Sequence, residues 1–192
     1  MKRFEIINSV PNIEEKSYLE IGTGAGLTFL KIKARNKIGI DIQPYDFALT
    51  TSSDKYFDGH PRKFDIIFID ADHRCESVLR DFNNSILHLN PRGIIFVHDL
   101  FPPNRQHIVP SLCGDGFKIL LLLLDDNTEF FCFKEDFGFT LFLQPQVISL
   151  EKFQLYKNKT YDDLMENKSR MNFVSGLEMV RILKENFSVE AK

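Results

Sequence analysis

Two short apolar segments of the chain end in groups that can move protons or bind metal ions. The segment FDIIFID ends in Asp70 and is followed by Asp72 and His73. The segment GIIFVHD ends in His98 and Asp99. Imidazole and carboxylate side chains act as general acids and bases, and both also bind divalent cations. The two segments therefore predict a site for acid–base or metal chemistry.

A third segment, SYLEIGTGAG, places three glycines at alternate positions after an apolar run. They are Gly22, Gly24 and Gly26. Glycine lets the backbone turn sharply and approach a ligand closely. A nicotinamide dinucleotide site would need the spacing GxGxxG, but its third glycine position is Leu27, and no GK[ST] sequence follows as in a P-loop. The loop therefore predicts a ligand site of another kind.

An acidic residue stands on each side of this glycine loop. Glu20 lies two residues before the first glycine, and Asp41 ends the next apolar segment, NKIGID. A carboxylate at the first position suits a ligand that brings a positive charge close to the loop. A carboxylate at the second position can accept hydrogen bonds from both hydroxyl groups of a ribose. A tight turn without any ligand is the alternative, and it leaves both acids unexplained.

Strand and helix patterns alternate along the chain, which is typical of a parallel α/β sheet with right-handed crossovers. The predicted strands are residues 17–21, 36–42, 47–52, 64–70, 93–99, 128–134 and 137–143. The predicted helices are residues 27–34, 53–57, 75–89 and 115–124, with one or two more helices within residues 161–186. Only a few residues separate the last two strands, so we expect them to pair as an antiparallel hairpin.

Composition fits one globular domain, with residues 1–145 as its core and residues 146–192 as a helical appendage. Of the 192 residues, 43% are hydrophobic, and the net charge of −3 predicts no nucleic-acid partner. The longest aliphatic run, ILLLLL, is too short to span a bilayer, so no membrane insertion is expected. Three scattered cysteines and the lack of a signal-peptide core predict free thiols and a cytoplasmic location.

The pattern ExGxGxG, followed by an acidic end of the second strand, resembles motifs I and II of the class I S-adenosylmethionine-dependent methyltransferases. This resemblance implies a Rossmann-like, seven-stranded sheet in the order 3-2-1-4-5-7-6, with strand 7 antiparallel and helices on both faces. It also implies S-adenosylmethionine as the cofactor, with Glu20 as the counter-charge of its amino group. The predicted order of elements, including the final hairpin, agrees with that fold.

A longer stretch resembles a branch of small bacterial and phage methyltransferases that are associated with glycan or secondary-metabolite O-methylation. IDADHRCESVLRD matches the branch pattern IDGxHxYExxxxD, HDLFPP matches HDxxPP, and TTSSDKYF resembles its TSDEFF segment. Two positions depart from the pattern, since Ala71 replaces a usual glycine and Cys75 replaces a common tyrosine. The resemblance implies methyl transfer to an oxygen of a small molecule, with a sugar or glycan precursor as the acceptor.

The resemblance also implies roles for individual residues. Methyl transfer to oxygen needs a base for the acceptor's proton, and His73 is the first candidate, with His98 second and Asp70 as the third catalytic residue. The expected cofactor-binding residues are Glu20, Gly22, Thr23, Gly24, Gly26, Asp41, Ile42, Ser53 and Asp70.

A metal-dependent reaction is an alternative. Related catechol-type O-methyltransferases bind Mg²⁺ at the ends of strands 4 and 5, and Asp70, His98 and Asp99 fall at those places. Mg²⁺ or another divalent cation is then a second cofactor, which would lower the pKa of a bound hydroxyl group. A histidine nitrogen is a poor ligand for magnesium, which prefers oxygen.

Two further alternatives stay open from the sequence. The chain could be a non-catalytic protein that binds the cofactor and assembles with a partner enzyme. Asp72 could serve only as the N-cap of the helix that begins at Cys75. Few residues precede the first strand, so the acceptor would be covered by residues 101–116, by the segment after Pro145, or by a second subunit in a homodimer.

Overall fold

The structure, a computed structural model, describes residues 1–188, within which seven β-strands form one mixed sheet in the order β3-β2-β1-β4-β5-β7-β6. The strands are β1 (Ser17–Ile21), β2 (Asn36–Asp41), β3 (Leu49–Thr50), β4 (Phe64–Ile69), β5 (Leu89–Val97), β6 (Phe131–Phe133) and β7 (Phe139–Phe142). Strands β1 to β5 pair in parallel, whereas β7 is antiparallel to both of its neighbours. The predicted fold class and strand order are confirmed.

Helices cover both faces of the sheet. They are α1 (Arg3–Ile7), α2 (Ser53–Gly59), α3 (Cys75–Leu87), α4 (Phe117–Asp125), α5 (Leu150–Gln154), α6 (Tyr161–Glu166) and α7 (Gly176–Ser188). The short helix α1 was not predicted. The last four residues of the predicted C-terminal appendage lie outside the described residues. No helix among residues 1–188 has the length and apolar character that crossing a bilayer requires.

The helix predicted for residues 27–34 is wrong, because the structure has only a short 3₁₀ turn, Phe29–Lys31, in this segment. The Lys37 ammonium group donates hydrogen bonds to the carbonyl oxygens of Phe29 and Ile32 at 2.9 and 2.8 Å. These carbonyl groups are therefore satisfied without a continuing helix. Leu27 and Leu30 are largely exposed, so burial of apolar surface contributes little to stabilising a longer helix here.

Two strands also differ from their predicted bounds. The third strand is reduced to Leu49–Thr50, because it lies at the edge of the sheet with both residues exposed. The fifth strand begins at Leu89 and not at Gly93, since a register shift beside Phe64 lets it pair with β4 along more of its length.

The core consists of two clusters of buried side chains, one on each face of the sheet. Alternate residues of β4 point to opposite faces, with Ile67 and Ile69 in one cluster and Ile66 and Phe68 in the other. The first cluster is covered by α2, α3 and α4 and by the segment that contains α5 and α6. The second is covered by α1 and α7.

The parallel pairing of β1, β4 and β5 positions the candidate site. Ile21 is in register with Ile69, and Ile69 with Val97. The next residue of each strand therefore lies at the same edge of the sheet: the amide of Asp70 donates to the carbonyl oxygen of Ile21, and the amide of His98 to that of Ile69. The glycine loop and the two titratable segments are brought together in this way.

Candidate functional site

A cavity of about 730 Å³ runs along the carboxyl ends of β1, β2 and β4. This volume is typical of sites for small ligands. All but one of the expected cofactor-binding residues line it; the exception is Gly26. The backbone of Gly26 has φ of 75°, and its amide donates to the carbonyl oxygen of Thr23, so this glycine closes the turn without facing the cavity.

The other two glycines of the loop are required for different reasons. Gly22 has φ of 84°, and a Cβ atom there would lie 2.2 Å from the carbonyl oxygen of Asp70. Gly24 has φ of 48°, lines the cavity, and has no heavy atom within 4 Å of the place where a Cβ would stand. Bare backbone at Gly24 therefore faces open space inside the cavity, which is what close approach of a ligand to the loop requires.

Asp41 is fixed by the loops on both sides of it. Its Oδ2 accepts a hydrogen bond from the amide of Gly24, and its Oδ1 accepts one from the amide of Gln43, both at 2.8 Å. Each carboxylate oxygen can accept a further hydrogen bond. The side chain lines the cavity, so its geometry fits the predicted contact with a pair of ribose hydroxyl groups.

Glu20 is almost completely buried, with 1% of the residue exposed, and it also lines the cavity. The Tyr18 hydroxyl donates a hydrogen bond to its carboxyl group. Burial raises the pKa of Glu20 to about 8, although the hydrogen bond from Tyr18 opposes this rise. Glu20 is therefore largely protonated at pH 7 and becomes a counter-charge only when a positive charge stands close to it.

Asp70 lies between cationic groups at one end of the cavity. Its Oδ2 accepts a hydrogen bond from Arg3 Nη1 at 2.9 Å, and its Oδ1 lies 3.1 Å from His98 Nδ1. Burial alone would raise the pKa of Asp70, but the interactions with His73 and His98 and the charge of Arg3 hold it well below its usual range. These neighbours therefore favour the ionised form of Asp70.

His98 is buried among three carboxylates. Its Nδ1 lies 3.1 Å from both Asp70 Oδ1 and Asp99 Oδ2, and its Nε2 lies 3.3 Å from Asp136 Oδ1. Burial would lower the pKa of His98, but hydrogen bonds to Asp136, Asp70 and Asp99 raise it well above its usual value. Both ring nitrogens of His98 therefore face carboxylate oxygens, and His98 is not among the residues that line the cavity. Its roles as second base and metal ligand stay predictions.

His73 is held in an orientation that suits a base. Its Nδ1 donates a hydrogen bond to the carbonyl oxygen of Pro110 at 3.1 Å. Its Nε2 lies 3.2 Å from Asp99 Oδ2 and 3.9 Å from Asp70 Oδ1. Burial would lower the pKa of His73, but Asp70 and Asp99 outweigh burial and raise it. His73 also lines the cavity, so Nε2 is the atom that an incoming acceptor can meet.

The donor atoms of Asp70, His73 and Asp99 lie within 4.8 Å of one another, which is close enough to hold a metal ion. The metal site predicted from the sequence was Asp70, His98 and Asp99, so His73 takes the place of His98 in this set. Arg3 and His98 already compensate the charge of the two carboxylates. A mixed nitrogen and oxygen set with this compensation does not fit a hard dication such as Mg²⁺.

Three residues of the site were missed by sequence reasoning: Tyr18, Arg3 and Asp136. Tyr18 is two residues before Glu20. Alternate residues of a strand lie on the same face, so the spacing in the sequence could have indicated that Tyr18 is next to Glu20. Arg3 and Asp136 are 133 residues apart in the chain, and neither belongs to a motif. Only the folded chain brings them together.

Asp72 lies at the rim of the cavity and stabilises the start of α3. Its Oδ1 accepts a hydrogen bond from the amide of Arg74, and its Oδ2 accepts one from the Ser77 hydroxyl. The N-cap position itself belongs to Arg74, and the first helical amide, that of Cys75, donates to Asp115. The predicted N-cap role of Asp72 is therefore wrong in position, although the side chain does serve the helix start.

The loop of residues 101–116 forms the wall beside His73. Besides the bond from His73 to Pro110, Gly114 approaches so closely that a Cβ there would lie 2.1 Å from the carbonyl oxygen of His73. Helix α6 braces this loop, because the Tyr161 hydroxyl donates to the carbonyl oxygen of Pro103. Two of the three segments expected to cover the acceptor thus contact each other.

Comparison with known proteins gives a family match for part of the chain. A family model described as a methyltransferase domain matches residues 45–100, which is less than half of the chain. No curated protein matches the sequence of this chain. The segment that links β2 to the end of β5 therefore resembles a methyltransferase domain.

Several solved structures are similar at low sequence identity. MycE methyltransferase from the mycinamycin biosynthetic pathway, in complex with Mg and SAH, is 18% identical over 63% of this chain, with a TM-score of 0.48. The match spans only 41% of the MycE chain. The N-methyltransferase NodS from Bradyrhizobium japonicum WM9 is 15% identical over 71% of this chain and 89% of its own, with a TM-score of 0.49. CalS10, an amino pentose methyltransferase from Micromonospora echinaspora, is 14% identical over 52% and 48% of the two chains, with a TM-score of 0.41.

Proposed function

We propose that this protein is an S-adenosylmethionine-dependent methyltransferase that methylates a hydroxyl group of a small molecule, with a sugar or glycan precursor as the acceptor class. The observation that carries the proposal is the position of His73. Its ring is fixed by Pro110, its Nε2 faces Asp99, and it lines the same cavity as the glycine loop. A base and a cofactor loop that line one cavity suit group transfer between two bound molecules.

The residues that would hold the cofactor are those at the carboxyl ends of β1 and β2. Asp41 would accept the ribose hydroxyl groups, and bare backbone at Gly24 would let the ligand approach the loop. Exposed Ile42 offers an apolar contact to a flat base, and Glu20 offers a buried carboxyl group to the amino group. When bound, S-adenosylmethionine supplies a methyl group on a positively charged sulfur atom.

His73 would take the proton of the acceptor hydroxyl group at Nε2 as the oxygen–carbon bond forms and the carbon–sulfur bond of the methyl donor breaks, with S-adenosylhomocysteine as the leaving product. Asp99 would stabilise the imidazolium that results, because a carboxylate 3.2 Å from the nitrogen that takes the proton favours the charged ring. The carbonyl oxygen of Pro110 keeps the proton on Nδ1 and so leaves Nε2 as the reactive atom.

Two other functions each have an observation in their favour. The three donor atoms of Asp70, His73 and Asp99 are the feature that a metal-dependent, catechol-type O-methyltransferase would use, with a softer dication than Mg²⁺, and a chelator would abolish its activity. The cofactor cavity alone would also suit a non-catalytic protein that binds the cofactor and assembles with a partner enzyme. The protein would then bind S-adenosylhomocysteine but transfer no methyl group.

Transfer of radiolabelled methyl from S-adenosylmethionine to a panel of hexoses, nucleotide sugars and catechol tests the proposal. We expect label on the oxygen of one acceptor class, unchanged by a chelator, and a kcat that falls by about 10²–10⁴ in His73→Ala. His60→Ala, at an exposed histidine far from the motif, is the control. Full activity of His73→Ala would contradict the assignment of His73 as the base. Labelling of a nitrogen atom would contradict the proposed transfer to oxygen.

A further inference from the structure

Arg3 is the one residue of α1 that reaches into the acidic end of the cavity among those described for that helix. We propose that Arg3 is the resident cation of this site: its guanidinium group takes the place in the charge balance that a divalent metal ion would otherwise fill, and it positions Asp70 and Asp136. The catalytic part of this inference rests on the proposed methyl transfer. The part that concerns charge balance is independent of the proposed methyl transfer.

The guanidinium group of Arg3 donates hydrogen bonds to the carboxylates of Asp70 and Asp136. Nη1 donates to Asp70 Oδ2 at 2.9 Å, while Nε and Nη2 each donate to one oxygen of Asp136 at 3.0 Å. Bidentate pairing of this kind is stronger and more directional than a single ion pair. The three side chains are between 16% and 24% exposed, so water screens them less than surface ion pairs.

The charge balance explains why a cation is needed there. Asp70, Asp99 and Asp136 bring three carboxylates around the buried ring of His98. The rings of His98 and His73 together can carry at most two positive charges against three carboxylates, and unpaired charges are costly at this degree of burial. A metal ion or a protein cation must supply the remainder, and Arg3 contacts two of the three carboxylates directly.

The place of Arg3 in the fold also suits a positioning residue. Ile6 and Ile7 of α1 are fully buried in the second core cluster, which anchors the helix. From that anchor, Arg3 links the end of β4, at Asp70, to the Lys134–Asp136 turn between β6 and β7. The guanidinium group thus fixes a carboxylate that faces both histidines of the site.

Titration with Mn²⁺, followed by the electron paramagnetic resonance signal of the free ion, tests the inference on the full chain. We expect no specific Mn²⁺ binding by the wild type, because its carboxylates are already paired. Arg3→Ala removes the cation and should bind Mn²⁺ about tenfold or more tightly than the non-specific binding of the wild type. Arg3→Lys keeps a cation and should bind Mn²⁺ as weakly as the wild type. Arg181→Ala, at an arginine on the exposed face of α7, is the matched control.

Every outcome of this titration bears on the inference. Mn²⁺ binding by the wild type that is lost in Asp99→Asn would overturn it, and so would Arg3→Ala that folds but gains no affinity. If thermal unfolding shows that Arg3→Ala is not folded, Arg3→Gln takes its place. The titration needs neither cofactor nor acceptor, so failure of the proposed methyl transfer would appear separately, as lack of label transfer from S-adenosylmethionine to any acceptor.

Discussion

The Nε2 atom of His73 lies 3.2 Å from Oδ2 of Asp99, while the opposite ring nitrogen donates to the carbonyl oxygen of Pro110. Asp99 adopts this position from a left-handed backbone conformation, with φ of 62°, which is unusual for a residue other than glycine. Such strain persists where the surroundings hold it, and it is common at functional sites. The backbone conformation that follows β5 therefore places Asp99 beside His73, the residue proposed to take the proton.

Replacing Asp99 by asparagine should lower kcat while leaving the affinity for S-adenosylhomocysteine within about twofold of wild type. The amide cannot stabilise the imidazolium that forms at His73, but Asp99 does not line the cofactor cavity. Steady-state kinetics and calorimetry together measure this separation. A parallel Asp58→Asn variant, at an exposed position, should match the wild type in both. Equal loss of cofactor affinity and kcat would contradict the assigned role.

Binding of S-adenosylhomocysteine should become tighter as the pH rises towards about 8. Free Glu20 has a pKa of about 8 and is protonated below it, so pairing its carboxylate with the ligand's amino group requires release of a proton. Calorimetry in two buffers with different ionisation enthalpies measures that release at pH 7. In Glu20→Gln, binding should be weaker and should release no proton. Release of the same amount by the variant would show that another group is responsible.

The stability of the free protein should fall over the same pH range. The pKa of Glu20 is raised by burial from 4.5 to about 8, so the folded state binds more protons than the unfolded state between these values. Its stabilising contribution is complete below 4.5 and is lost as the pH rises through about 8.

Denaturant unfolding at several pH values measures this loss. Glu20→Gln should lose roughly 2–3 kcal/mol less than the wild type between pH 6 and pH 8. Glu14→Gln, at an exposed glutamate, should follow the wild type. Identical pH slopes for Glu20→Gln and wild type would contradict a buried, protonated Glu20.

Gly22→Ala should destabilise the fold by about 1–3 kcal/mol. The substitution combines a positive φ with a Cβ 2.2 Å from a backbone oxygen that cannot move without distorting β4. Gly59→Ala is the matched control, because nothing stands within 4 Å of its Cβ position and its φ is ordinary. Thermal unfolding should therefore separate the two variants, and equal melting temperatures would mean that the loop adapts freely.

The fold was largely predictable because its signals are local. Continuous β-branched runs such as that of β4, and the short spacing between β6 and β7, depend only on neighbouring residues. The helix expected at residues 27–34 failed because Lys37, a side chain just outside the segment, satisfies the carbonyl groups that a helix would use. Sequence pattern cannot reveal such a competing partner.

The candidate site was predictable where strand ends supply it and not where tertiary contacts do. Parallel strands place Glu20, Asp41, Asp70 and His73 at one edge by topology alone. The state of His98 depends on Asp136, a residue from the turn after β6, which no motif connects to it. For this reason the sequence could not show that His98 is surrounded by three carboxylates.

Calorimetric titration with S-adenosylhomocysteine is the most direct measurement of the proposed cofactor site, with wild type, Asp41→Ala and the exposed control Asp46→Ala compared. We expect binding by the wild type and by Asp46→Ala, and an affinity at least about tenfold weaker, or about 1.4 kcal/mol, in Asp41→Ala. No binding by the folded wild type, or equal binding by Asp41→Ala, would contradict an S-adenosylmethionine site in this cavity.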